Sequence, residues 1–188
     1  MQVDLASAYL VFGAMMLEAK QYDKAIEIMA KAVEANPVNV QTLFALADAY
    51  KGKKYMNSFL TIIKRAHVCA YKKVDIARIY RNYAHYYTQM KEYDLAAALA
   101  YASKQFDSNI LPFNACMKEI ETESGSTFAE MPVEQIKNTL ISNGISWGAK
   151  ELAPSVINML NQQFTQAKNE AGMKMCAEML NELRLIDC

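Results

Sequence analysis

Apolar positions recur along this chain at helical spacing. Residues 5–17 carry no charge, and Tyr22, Ala25, Met29 and Ala32 follow three or four apart, the spacing of one helix face. Phe113, Cys116, Met117 and Ile120 form another such stripe. Val133, Ile136, Leu140 and Ile141 form a third, with Pro132 at its first helical position, Glu134 in its first turn and Asn143-Gly144 after it. Pro37, Ser124-Gly125-Ser126-Thr127 and Ala171-Gly172 punctuate the pattern. It predicts helices near 5–18, 22–35, 40–52, 56–70, 76–89, 92–106, 110–122, 132–142, 154–169 and 172–186, with no sheet.

The pattern also repeats. Tyr9, Phe12-Gly13 and Met16 precede Tyr22, Ala25, Met29, Ala32 and Pro37. Leu43, Leu46-Ala47 and Tyr50 keep the first half of that spacing, followed by Phe59, Ile63 and Ala66, with Tyr71 where the proline would stand. Tyr80, Tyr83-Ala84 and Tyr87, then Tyr93, Ala96, Ala100 and Ser103, make a third copy. Copies one and three begin 71 residues apart, two periods of 34 with Val74-Asp75-Ile76 as the excess and Asp75 a candidate N-cap. Small residues suit close backbone approach, and Pro37 and Asn39 suit a helix stop and a cap.

These three copies resemble the 34-residue tetratricopeptide repeat, with Tyr for Trp, Phe for Leu and Met for Tyr and Phe in the first. The resemblance spans about residues 6–110 and implies an all-α, right-handed superhelix of antiparallel helix pairs. Residues 111–188 carry no such motif and read as a helical cap on the repeats.

The composition excludes several classes. With 53% hydrophobic residues the chain is too apolar for disorder, and with 6 Gly and 4 Pro it is too poor in turn residues for an all-β sandwich. The uncharged run of residues 5–17 is too short to span a bilayer, and Asp4 stands where a secretory leader wants positive charge. Cys69, Cys116, Cys176 and Cys188 show no CxxC spacing, so neither a zinc knuckle nor a disulfide framework is indicated. A cytoplasmic chain with reduced thiols is expected. His67 and His85 belong to no metal spacing, and no phosphate loop, GxSxG or HExxH occurs. No cofactor, no metal and no catalytic activity are expected; His67 reads as a helix-end residue.

What remains is surface. The resemblance implies that the first helix of each repeat lines a concave groove where a partner's peptide lies. That places Leu10, Val11, Ala14 and Leu17 there from copy one, with Ser7. Phe44, Asp48 and Lys51 follow from copy two, with Gln41 and Ala45. Arg78, Arg81, Asn82, His85 and Gln89 come from copy three. The family members that grip the carboxylate tail of heat-shock chaperones need basic and amide residues where this chain has Leu10, Ala14 and Ala45, so that ligand is not expected.

Net charge is zero yet uneven. Residues 1–110 hold 14 Lys/Arg and 10 Asp/Glu, and residues 111–188 hold 6 and 10. Between Lys51 and Arg81 nine basic residues meet one acid, Asp75. An acidic partner segment would be drawn to such a belt. A solvated face, or a fold-back of the acidic C-terminal region, accounts for it equally. Nucleic acid is not expected, since the rest of the chain offsets the charge.

The function expected is a non-catalytic protein-interaction module holding an extended, acidic segment. The alternatives are a secretion-type chaperone holding an exported client and, from another class, a helical enzyme or metal protein. The all-apolar first helix also needs a cover, which is either a second subunit or partner, or the chain's own C-terminal helices.

Overall fold

The computed structural model describes residues 5–149 and 152–184. Among them the chain is all-α, with no strand. The helices are α1 (Leu5–Glu18), α2 (Tyr22–Ala35), α3 (Val40–Gly52), α4 (Met56–Cys69), α5 (Lys73–Gln89), α6 (Tyr93–Phe106), α7 (Ile110–Ser124), α8 (Val133–Ser142), α9 (Leu152–Gln166) and α10 (Glu170–Arg184). Residues 185 and 186, expected at the end of the last helix, lie outside the described residues. Two compact units divide the chain, Met1–Cys69 and Ala70–Cys188.

The first unit is two helical hairpins. α1 packs on α2, α3 on α4, and α3 also packs on α2 and α1. Gly13 sets the approach of α1 to α2: a Cβ there would lie 2.5 Å from Cγ of Met29. Ala25, Met29, Ala32, Leu43, Ala47, Phe59 and Ile63 are fully buried, so the small and large repeat positions together form the core. Asn39 caps α3, its Oδ1 accepting the Thr42 N–H at 3.1 Å.

In the second unit α5 pairs with α6, α7 packs on both, and α8 packs on α6. Residues 125–132 join α7 to α8. Tyr101 Oη donates to the Phe128 carbonyl at 2.9 Å, pinning that connection to α6, and Tyr93 Oη donates to the Glu123 carbonyl in the last turn of α7 at 3.1 Å. Residues 143–149 fold onto α5 and α6. The ring of Trp147 lies 5.1 Å from that of Phe106 and 6.4 Å from that of Tyr80. The Tyr80 hydroxyl donates to the Ser146 carbonyl at 2.9 Å and accepts the Gly148 N–H at 2.6 Å. α9 and α10 bury Ala153, Ile157, Cys176 and Leu183 against one another, and Tyr71 packs on that cluster.

One turn builds four of the hairpins. The α1–α2, α3–α4, α5–α6 and α9–α10 connections are three residues long, and the middle residue is Lys20, Lys54, Lys91 or Lys168, with φ of 56, 60, 63 and 53°. In each, the lysine N–H bonds to the carbonyl three residues back and the next N–H to the carbonyl five back, as in Lys54 to Lys51 and Tyr55 to Tyr50. This is the left-handed helix stop that glycine usually serves.

Three local expectations are corrected. α5 begins at Lys73, so Asp75 sits inside its first turn, buried, and Lys72 holds the cap position. A carboxylate in a first helical turn favours the free N–H groups there, so the three excess residues lengthen the helix instead of preceding it. Ala171-Gly172 belongs to α10 and does not separate the last two helices. Asn169 Oδ1 accepts the Gly172 N–H at 3.0 Å and starts α10 earlier. Phe12, expected in the repeat core, is 58% exposed. His67 does lie in the last turn of α4, where it is fully buried.

Candidate functional site

α1 and α3 bring three of the sequence-selected residues together. Leu17 ends the Leu10–Ala14–Leu17 stripe, which follows i, i+4, i+7 spacing on α1 and is half-buried throughout. Asp48 and Lys51 lie one turn apart on α3, also half-buried. Leu17, Asp48 and Lys51 line one cleft of about 510 Å³ with Glu18, Lys20, Tyr22 and Gly52. Gly52 admits the Tyr22 ring: a Cβ there would lie 2.3 Å from Cε1 of Tyr22. Beside it Lys53 Nζ meets Asp23 Oδ1 at 2.9 Å, tying the start of α2 to the residue after α3. Two acids and two lysines balance around an apolar wall, so the cleft can hold an aliphatic side chain and an ionic or amide group at once.

Other selected residues lie elsewhere on these helices. Phe44 is 1% exposed, inside the packed interior, whereas Val11 is 59% exposed. Ser7 and Gln41 are exposed and Ala45 half-buried.

On α5 the selected row meets the chain's own acids. Arg81 Nη1 pairs with Asp107 Oδ2 at 3.2 Å, and His85 Nδ1 lies 2.5 Å from Glu119 Oε1 on α7. Arg78 is half-buried and Gln89 exposed. Asn82 is 8% exposed, and its Nδ2 finds no acceptor among the described residues. α7 packs along α5 and brings Glu119 to this row, and the residue after α6 is Asp107.

A larger cleft, about 830 Å³, went unmarked in the sequence. It lies between the α5–α6 turn and the α7–α8 connection, lined by Lys91, Glu92, Tyr93, Asp94, Phe128, Glu130 and their neighbours. Its one sequence signal is the Ser124–Thr127 loop ahead of Pro132, too long for a tight hairpin.

The Cys69 and Cys176 thiols suit packing more than chemistry. Burial raises the Cys69 thiol above its usual pKa against the opposing pull of Arg65, and burial does the same for Cys176. A protonated thiol is a poor nucleophile and a poor metal ligand. Among the described residues no group of three or more His, Cys, Asp or Glu is placed to hold a metal ion. No helix there is long and apolar enough to cross a membrane.

No protein-family model matches the chain, and neither a curated protein nor a solved structure matches it.

Proposed function

We propose that this chain is a non-catalytic protein-interaction module: three tetratricopeptide repeats in a right-handed superhelix with a C-terminal helical cap, binding a partner segment along the first helices. The cytoplasm is the compartment proposed with it, on four widely spaced cysteines without a framework. The observation that carries the reading is the meeting of Leu17, Asp48 and Lys51 in one cleft. They come from equivalent helices of two successive sequence copies, the helices that the resemblance assigns to the groove. The partner segment fitting them is extended, with an apolar residue for the Leu10–Ala14–Leu17 stripe and a carboxylate for Lys51. The basic row of copy three contributes less than its sequence suggested, because Arg81 and His85 meet Asp107 and Glu119.

The test is capture of partners from the source cell lysate on the full chain, identified by mass spectrometry, beside the Asp48→Ala/Lys51→Ala double variant. The expected result is a partner held by the wild type and lost by the variant at unchanged melting temperature. Equal retention by both would remove the cleft from the function.

A further inference from the structure

Four connections of this chain are the same three-residue turn, and the one between α7 and α8 is not. It takes eight residues, 125 to 132, and the cleft of about 830 Å³ lies beside it. That volume is in the range of formed binding sites. One wall is the stretch from Ser126 to Pro132, which runs without helix, turn or bend. Two ties fix it to α6: Tyr101 Oη holds the Phe128 carbonyl at 2.9 Å, and Lys104 Nζ meets Glu130 Oε1 at 2.7 Å. No hydrogen bond among the described residues takes up the N–H groups of residues 127–131, or their carbonyls other than that of Phe128. Thr127, Ala129 and Glu130 are exposed. A straight, exposed run with open N–H and C=O groups offers a second chain the same partners as the edge strand of a sheet.

The facing wall is the start of α6. The Tyr93 ring is fixed there by the bond from its hydroxyl to the Glu123 carbonyl, and Glu92 and Asp94 flank it in sequence. Glu92 holds the cap position of α6 and makes no capping bond. Neither Glu92 nor Asp94 has an ion pair among the described residues. The cleft lining carries the acids Glu92, Asp94 and Glu130 against the base Lys91, and Glu130 already has Lys104.

We propose that this cleft binds an extended segment of a partner protein that carries a Lys or Arg side chain. The segment's main chain pairs with the open groups of residues 127–131, as an added strand pairs with a sheet edge. Its cation meets the carboxylates of Glu92 and Asp94, and its aliphatic stem lies on the rings of Tyr93 and Phe128. The open main chain selects a peptide over an isolated cation, and the acids select its charge. A segment carrying a carboxylate would instead meet like charges that nothing in the lining offsets. This cleft shares no residue with the Leu17–Asp48–Lys51 cleft, and the proposal does not depend on what that cleft binds.

The probe is a set of short blocked peptide pools, randomised without proline around a central residue fixed as Lys, Arg or Glu. Each pool is titrated into the isotope-labelled full chain and followed by amide NMR. The Lys and Arg pools are expected to shift the amides of residues 92–94 and 127–131 saturably, and the Glu pool to leave them in place. The tightest peptide from those pools should lose about tenfold or more in affinity for the Glu92→Gln/Asp94→Asn variant. Glu92→Gln alone repeats the measurement if the pair lowers the melting temperature. Methylating alternate main-chain nitrogens of the peptide should weaken it too, and so should added salt. Silence of those amides toward the Lys and Arg pools, an equal response to the Glu pool, or affinity indifferent to the acid substitutions would overturn the proposal. So would an equal response to acetyl-lysine amide, since the cleft would then hold an isolated cation. Shifts confined to α1 and α3 would support the Leu17–Asp48–Lys51 cleft and overturn this one.

Discussion

Arg81 and Asp107 face each other at 3.2 Å with side chains only 17 and 14% exposed. Asp107 also accepts the Asn109 N–H through its other oxygen, at 3.0 Å, so the carboxylate joins the start of α7 to α5. Removing one member of a largely buried pair leaves a charge without its counterion. Asp107→Ala is therefore expected to cost about 1–3 kcal/mol, and Arg81→Glu more, because two carboxylates would then share the site. A double-mutant cycle with Arg81→Ala, read by denaturant unfolding, should show a coupling of the same sign. Additive single effects would deny the pair a structural role.

The turn lysines offer a gain. Lys54 is exposed and left-handed at φ 60°. The left-handed conformation costs an ordinary residue roughly 1–2 kcal/mol, whereas glycine enters it freely. Glycine also loses more entropy on folding, so Lys54→Gly is expected to stabilise by about 0.5–1 kcal/mol net. Lys54→Ala, which keeps the strain, should gain nothing. Thermal melting of the two variants decides it.

Tyr80 is the hinge pin of residues 143–149. Tyr80→Phe removes the hydroxyl's bonds to the Ser146 carbonyl and from the Gly148 N–H, an expected loss of about 1–3 kcal/mol. Trp147 is the single tryptophan, so its fluorescence reads the effect directly: acrylamide quenching should rise in the variant.

The same phenol predicts a pH response. Burial raises the Tyr80 pKa above its ordinary value, with the Gly148 N–H pulling the other way, and burial raises Tyr83 likewise. Above pH about 10 the unfolded chain releases these protons and the folded chain keeps them, so stability falls as pH rises. Below that pH both states hold the protons and the two phenols leave stability flat. Tyr80→Phe should make the alkaline loss shallower in urea titrations between pH 9 and about 11.

Gly172 tests the last hairpin. A Cβ there would lie 2.4 Å from Cγ of Phe164, in a ring that cannot fold away as a methionine can. Alanine is the better helix former, yet Gly172→Ala is expected to destabilise the α9–α10 pair by about 1–3 kcal/mol through overpacking. Phe164→Leu should recover part of that loss. Hydrogen exchange in α9 and α10 locates the change.

The helices were legible in the sequence because their cause is local. The three-or-four spacing of Tyr22, Ala25, Met29 and Ala32, the cap at Asn39 and the stop at Pro37 act within a few residues of themselves, and the small positions Gly13, Ala25 and Ala96 announce close approach. That Asp48 and Lys51 share a side of α3 followed from the same periodicity, while the meeting of Leu17 with them was an expectation of the resemblance to the tetratricopeptide repeat. What the sequence could not rank was competition for a face. Arg81 and His85 read as groove residues until α7 brought Glu119, and the turn after α6 brought Asp107, from 34 and 26 residues away. Phe12 and Leu46 occupy the same place in their repeats, yet one is 58% and the other 4% exposed. A side chain's burial is set by which helix lies over it, a property of the assembled neighbours that no periodicity in the residue's own helix contains.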